Sequence, residues 1–311
     1  MRLSARDMLQ ADLHARVIDK LTYLVALARD RNFRRAAEAC GVAQPTLSAG
    51  IKQLEEELGV MLVRRSSRFY GLTLEGEKVL DWARRLVGDA AAMRQELRAM
   101  RTGLSGHLRI AVIPTALATV PLLTGPLLAR HPALQFTILS HPSVTILQML
   151  DSLEVDAGIT YLNNEAVGWV QSIPLYTERY RFVTAADGAF ADRTSVTWAE
   201  LSRVRLCLLT PDMQNRRIMD RLMRGAGAEP RATLESNSQV TLLAHVLTGQ
   251  WATVLPERVA ETLALAPRLR RIPITEPDAT YEIGLVLPHR EPMPILAAAL
   301  MAEARLLTRG R

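Results

Sequence analysis

The sequence predicts an α/β chain in three parts: a winged helix-turn-helix, a long linker helix with a coiled-coil seam, and a C-terminal domain of alternating strands and helices in two lobes. Three observations carry this. The charge is lopsided, because 38 basic and 32 acidic residues give a net +6, of which residues 1–106 hold +5 and residues 107–311 only +1. From Glu75 to Thr102 apolar side chains recur in alternating steps of four and three with no proline between them. Beyond Leu108 short apolar runs alternate with amphipathic ones, the texture of an open, parallel α/β sheet.

Composition narrows the class. At 311 residues the chain has room for two domains or a little more, and 49% hydrophobic with 23% charged residues excludes a mostly disordered protein. Two cysteines, Cys40 and Cys207, are too few for a disulfide framework and lack the spacing of a structural zinc module, so a reduced, cytoplasmic setting and no metal are expected. The first residues carry Asp7, Asp12 and Asp19 and no continuous apolar stretch, unlike a secretory signal. The most apolar segment, Ala111 to Leu128, is interrupted by Pro114, Pro121 and Pro126, so no membrane span is expected.

Ile18, Leu21, Leu24, Val25 and Ala28 recur at helical spacing, and Asn32 then stands as a cap for a second, short helix. That helix holds Ala36, Ala37 and Ala39, small enough for another helix to cross closely, and stops at Gly41. A third helix opens at Gln44-Pro45, with Pro45 at the first helical position, buries Leu47, Ile51, Leu54 and Leu58, and ends at Gly59. Helix, tight turn, helix is how a helix-turn-helix reads. The third helix keeps Gln44, Thr46, Ser48, Lys52 and Gln53 off its apolar stripe, with carboxylates only later, at Glu55 to Glu57. An N-terminal half of amides and hydroxyls suits insertion into a major groove. Val60 to Thr73 reads as strand, basic turn and strand, a wing whose Arg64, Arg65 and Arg68 can reach phosphates.

The linker seam is Val79, Ala83, Leu86, Ala90, Met93, Leu97 and Met100. Such a helix would run to about 42 Å, more than a lone small domain covers, so a partner helix is expected. Thr102 to Gly106 reads as a flexible hinge. Then follow a strand at Leu108 to Ile113, a helix at Ala116 to Arg130, a strand at Leu134 to Leu139, a helix at Thr145 to Leu153 and a strand at Asp156 to Thr160. A second unit has strands at Tyr180 to Ala185, Leu206 to Leu209, Thr233 to Glu235 and Ala252 to Leu255, with helices at Arg216 to Gly225 and Val240 to Gly249. Ligands in such folds sit outside the carboxyl ends of strands, which singles out the turns at Thr115, Ser143, Thr210 to Asn215 and Ser236 to Gln239.

Asn32-Phe33, Ala36 to Ala39, Val42 to Ser48, Ile51, Leu54 to Val60, Leu62, Arg65, Leu72-Thr73 and Gly76 resemble the N-terminal signature of LysR-type transcriptional regulators. The resemblance implies 1–74 as the DNA-binding domain, with 1–16 as an extension and Thr73 among its contacts, 75–102 as the dimerising linker and 103–107 as a hinge. It implies 108–311 as an effector-binding domain resembling periplasmic solute-binding proteins, one lobe at about 108–177 and 281–311, the other at about 178–280. It further implies promoter DNA, RNA polymerase and further copies of the chain, in a homotetramer, as partners. No cofactor is implied beyond a small-molecule effector. Family ligand contacts fall on Thr115, Ser143, Thr210, Pro211, Asp212 and Gln214, with Tyr176 to Tyr180 as the crossover between lobes and about Arg271 to Tyr281 as the return.

The chain departs from the family where Arg-Gln is usual after the serine of the third helix, having Ala49-Gly50, and where Leu-Phe is usual, having Leu62-Val63. Base readout at Ala49 is therefore weak. The redox-sensing branch needs a second cysteine soon after the first, whereas Cys207 stands alone in an apolar strand and reads as core. Ser143 to Leu162 resembles regulators encoded beside formate dehydrogenase genes, which makes formate a candidate effector. The histidines are scattered and no Gly-x-Ser-x-Gly, His-Glu-x-x-His or Gly-rich phosphate loop occurs, so a regulator rather than an enzyme is expected. The competing expectation is an architectural, nucleoid-type DNA-binding protein with no ligand response.

Overall fold

The structure, a computed structural model, describes residues 5–65, 69–162, 169–262 and 268–309, and the side chains of all of these except 5–16, 65, 69 and 262. The chain divides into two compact units, Met1–Gly103 together with Asp151–Leu153, and Leu104–Leu150 together with Glu154–Arg311.

The first unit runs α1 (Ala5–Asp30), α2 (Phe33–Ala39), α3 (Gln44–Leu58), β1 (Val63–Arg65), β2 (Phe69–Leu72) and α4 (Leu74–Thr102). Helix α1 begins well before the periodicity at Ile18. Asn32 caps α2 through Oδ1, which accepts from the backbone N–H groups of Arg34 and Arg35 at 2.9 and 3.1 Å. Gly41 and Gly59 take φ of +67° and +69°, a left-handed conformation in which a side chain would be strained. Helix α3 starts at Gln44, so Pro45 is its second residue rather than its first, and Ala43 caps it with backbone alone. Leu24, Leu27, Ala36, Leu47 and Ile51 are fully buried in one core with Leu80 and Ala83 of α4. Burying a leucine or isoleucine contributes about 1.5–3 kcal/mol, so this contact holds the base of α4 on its own domain. The strands β1 and β2 pair antiparallel as the expected wing.

The second unit contains β3 (Gly106–Val112), a 3-10 helix (Pro114–Thr119), α5 (Pro121–Arg130), β4 (Leu134–Ser140), α6 (Ser143–Asp151), β5 (Ala157–Tyr161) and β6 (Val170–Ala185). It continues with β7 (Val196–Thr197), α7 (Trp198–Leu201), β8 (Leu206–Leu209), α8 (Gln214–Gly225), β9 (Ala232–Ser236), α9 (Gln239–Val246), β10 (Thr253–Pro256), α10 (Glu257–Thr262), β11 (Leu269–Thr275), β12 (Thr280–Pro288) and α11 (Ile295–Arg309). Gly106 and His107 pair with Leu134 and Gln135, so the stretch expected as hinge is strand from Gly106 onward. The single helix expected from Ala116 to Arg130 is two, because Pro121 at the start of α5 has no N–H to continue the 3-10 turn.

The sheet is mixed rather than parallel. Among the described residues its order is β4-β3-β5-β12-β6-β11-β7, with β10 also on β6. Strands β4, β3 and β5 are parallel, whereas β12 runs antiparallel to both β5 and β6. Strand β6 is far longer than the expected Tyr180 to Ala185. Its residues Val170 to Arg179 pair with β12, and from Tyr180 onward it pairs with β10 and β11. One continuous strand thus passes between two sets of partners at Arg179/Tyr180. The strands β8 and β9 form a separate parallel pair.

Candidate nucleic-acid interface and ligand cleft

On α3 the buried face is Leu47, Ile51, Leu54 and Glu55, and the opposite face exposes Gln44, Pro45, Thr46, Ala49 and Lys52, with Ser48 half-buried. The glycine inside this helix has a cause. A Cβ on Gly50 would lie 2.8 Å from the ring of Tyr23, so the helix approaches α1 more closely than an alanine allows without moving that ring. Nearby, Lys20 of α1 donates to Glu57 at 2.6 Å. Glu55, a carboxylate the sequence reading left without a role, is buried, and its Oε1 accepts from the backbone N–H groups of Leu62 and Val63 at 2.9 and 3.0 Å. Helix α3 therefore carries the first strand of the wing with it. Arg64 is exposed on β1, and Lys52 pairs loosely with Glu56 at 3.5 Å. Arg65 lies in β1, its side chain outside the described set, and Arg68 lies outside the described residues.

Thr73 is placed as a helix cap. Its hydroxyl donates to the Met61 carbonyl at 2.6 Å and accepts from the Gly76 N–H at 2.9 Å, which ties the start of α4 to the wing. The linker seam also divides. Ala83 is buried and Val79 packs against the core of the first unit, whereas Leu86, Met93, Leu97 and Met100 are exposed and Ala90 is half-buried.

In the second unit the carboxyl ends of β3, β4, β5 and β8 meet at a very small cavity of about 10 Å³. Thr115, Ser143, Tyr161, Gln214 and Asn215 supply its polar lining. Thr115 and Ser143 are each 1% exposed, and neither hydroxyl caps a helix. Ser143 Oγ, Thr210 Oγ1 and both amide atoms of Asn215 are buried without hydrogen-bond partners. Asn215 closes the turn Thr210 to Asn215 that the strand-to-helix rule singles out, although the family's ligand contacts do not include it. A buried unpaired polar group costs about 1–3 kcal/mol, and here several collect on or near one cavity at the N-termini of α6 and α8. Gln214 is fixed by Arg217, whose Nε donates to its Oε1 at 2.8 Å. Pro211 and Asp212 are exposed and do not line the cavity, because the chain turns outward there and Asp212 offers only its carbonyl, to Arg217. Beneath the turn, buried Arg216 joins the Leu209 carbonyl, Glu235 and Asp220, tying β8, β9 and α8 together. A larger open cleft of about 480 Å³ adjoins through Pro114 and Met213 and is lined further by Ser140, Asn237, Ser238 and Gln239.

Behind the cavity lies a buried polar cluster that the sequence reading also missed. Tyr161 donates to Glu178 Oε1 at 2.5 Å, and its oxygen stands 3.1 Å from that of Tyr180. Glu178 is 2% exposed, and burial pushes its carboxyl up to about 7, against the opposing pull of hydrogen bonding from Tyr161, Tyr180 and Thr115. Burial also raises both tyrosine hydroxyls well above their ordinary value, so they remain protonated. Cys207 is fully buried, and desolvation raises its thiol to about 11.

Comparison with known proteins identifies both domains. Residues 18–77 match the model of the bacterial regulatory helix-turn-helix protein, lysR family, and residues 101–307 that of the LysR substrate binding domain. The chain is 32% identical to the DNA-binding transcriptional dual regulator OxyR of Escherichia coli K12, over 92% of this chain and 95% of that protein. Its structure resembles a full-length OxyR variant from Pseudomonas aeruginosa, with a TM-score of 0.75 and 28% identity over 93% and 94% of the two chains. It also resembles an H2O2-bound OxyR mutant of Corynebacterium glutamicum, with a TM-score of 0.58 and 26% identity over 93% and 90%. Carrying the family's helix-turn-helix and its effector-binding domain in one chain, this protein belongs to the LysR family of DNA-binding transcriptional regulators.

Proposed function

We propose that this regulator reads its operator through Gln44, Thr46 and Ser48, holds the DNA backbone through Lys52, Arg64 and the wing arginines Arg65 and Arg68, and responds to a very small hydrogen-bonding solute in the cavity of Thr115, Ser143, Gln214 and Asn215. The single observation behind the effector reading is that the Ser143 hydroxyl and the Asn215 amide are buried on that cavity with no partner of their own. Two helix N-termini face the same space and favour negative charge. Formate is the anionic solute of this class, and H2O2, carried by the Corynebacterium glutamicum relative, is the neutral one. A peroxide response through a thiol is disfavoured in this chain, since Cys207 is buried and its thiolate scarcely populated at neutral pH.

Calorimetric titration of the full chain with formate, acetate and H2O2 tests this reading. Ser143→Ala is expected to weaken the solute that binds by roughly ten- to a hundredfold, the value of a hydrogen bond to a charged group, and to leave ligand-free DNA binding intact. Equal affinity in Ser143→Ala and Thr115→Ala would place the ligand elsewhere.

Assembly is read from α4. Its exposed stripe of Leu86, Met93, Leu97 and Met100 fits a second copy of the same helix, giving dimers that contact RNA polymerase and pair further into a tetramer. Met93→Glu is expected to shift sedimentation to smaller species that no longer bind paired half-sites, and an unchanged oligomer would refute the seam.

A further inference from the structure

The Tyr161–Glu178–Tyr180 cluster is not explained by packing alone. Glu178 lies on β6 opposite Tyr281 of β12, one residue before the strand changes partners at Arg179/Tyr180. Its link to the cavity is short, because Tyr161 lines that cavity and donates its hydroxyl hydrogen to the Glu178 carboxylate, whose second oxygen is buried without a partner. The groups around Glu178 are the hydroxyls of Tyr161 on β5, Tyr180 on β6 and Thr115 on the 3-10 helix, with the Tyr281 ring of β12 packed against both tyrosines. The neighbouring cations are engaged elsewhere. Arg179 pairs with Asp278, Arg181 with Glu257, Arg258 of α10 stacks on Tyr176, and Arg221 of α8 acts on Tyr281. Among the described residues no Lys or Arg forms an ion pair with Glu178.

We infer, resting on the cavity being the effector site, that Glu178 sets the charge of the solute it accepts: an anion enters only as Glu178 takes up one proton from solvent, whereas a neutral solute of the same size enters without one. Two negative charges separated by little more than the Tyr161 hydroxyl, in buried surroundings without a paired cation, repel strongly. Protonation removes that repulsion. The new carboxylic acid O–H can then donate to Tyr161, whose own O–H is freed to turn from Glu178 toward the anion. Glu178 is a positioning and charge-selecting residue in this scheme, acting through Tyr161.

Sodium formate and formamide, nearly isosteric and differing in charge, test the inference on the full chain by calorimetry between about pH 6 and about pH 8.5, where formate stays ionised. Formate affinity is expected to be level up to about neutral pH and then to fall about tenfold per pH unit, with close to one proton taken up per formate at the alkaline end. Formamide affinity is expected to stay level throughout, and Glu178→Gln to level the formate profile. Proton uptake, read in wild type from buffers of different ionisation enthalpy, decides the matter even if the variant folds poorly. A wild-type formate profile matching that of Glu178→Gln, formate binding without proton uptake above neutrality, or formamide binding where formate fails at pH 6 overturns the inference while leaving the cavity reading intact. If neither solute binds, or Ser143→Ala leaves formate affinity unchanged, the cavity reading itself falls, and this inference with it.

Discussion

The exposed face of α3 and the cavity of the second unit both present polar side chains with spare hydrogen-bonding capacity, but under opposite solvation. Gln44 and Thr46 stand in water, which satisfies them at no cost until DNA replaces it. Ser143 and Asn215 are buried, so bulk water does not reach them and their hydrogen bonds must be made inside the cavity. An exposed polar face tolerates a partner, whereas a buried unsatisfied one demands it. The first therefore says little about how tightly its ligand is held, and the second carries a strong reason to bind something small.

The largest test of that contrast removes the support of one region and asks whether the other survives. A Cβ on Gly76 would fall 2.1 Å from the carbonyl oxygen of Leu62, a backbone atom that cannot swing aside. Gly76→Ala is expected to destabilise the first unit by about 3 kcal/mol or more and to abolish operator binding. Calorimetric melting should show the transition of the second unit unmoved, and a common downward shift of both would show the two units to be one cooperative body.

Next in size is the pH dependence of the second unit. Folding raises the Glu178 carboxyl from its ordinary 4.5 to about 7. The folded state thus holds the proton more tightly than the unfolded one, so the stabilisation is full below about pH 4.5 and is lost as the pH rises toward 7. The loss is about 3 kcal/mol if the whole shift is realised. Glu178→Gln is expected to remove this component. Denaturation of both proteins at pH 5 and pH 8 checks it, and equal slopes would mean that Glu178 ionises freely in the fold.

How each region could be read from sequence follows from the range of its interactions. The helix-turn-helix is local: Asn32 caps, Gly41 and Gly59 terminate, and the Leu47, Ile51, Leu54 stripe all act within one or two helical turns. The cavity could be read only in part. Thr115, Ser143 and Gln214 were visible as the first residues after strands, where α/β folds place ligands. Asn215 was visible only as the end of the turn Thr210 to Asn215, because burial with no partner is not a property of a sequence position. Glu178 stood inside the Tyr176 to Tyr180 crossover without a role of its own, and only the pairing of β6 and β5 with β12 brings it to Tyr161. The antiparallel β12 and the helices α10 and α11 lay beyond the last strand read, although Leu296, Leu300, Met301 and Ala304 do repeat at helical spacing. Thr73 carries a second, local role that its position before α4 foretold, the cap of that helix.

The smallest effects separate reading from holding on the DNA side. Gln44 and Thr46 lie exposed in the first turn of α3, their side chains free of hydrogen bonds among the described residues, so they can meet base edges, and losing one good pairing costs about 1–3 kcal/mol of discrimination. Gln44→Ala is therefore expected to weaken operator binding while leaving affinity for random duplex nearly unchanged. Arg64 is exposed on β1, which Glu55 pins to α3, so its charge has a fixed place beside the recognition helix but no base to read. Arg64→Ala should lower affinity for both duplexes alike and reduce the slope of log affinity against log salt by about one. Salt-resolved titrations of both variants on both duplexes give the answer. If Gln44→Ala cost the two duplexes equally, or Arg64→Ala left the slope unchanged while relaxing sequence preference, the roles would be exchanged, and the wing rather than α3 would be the reading element.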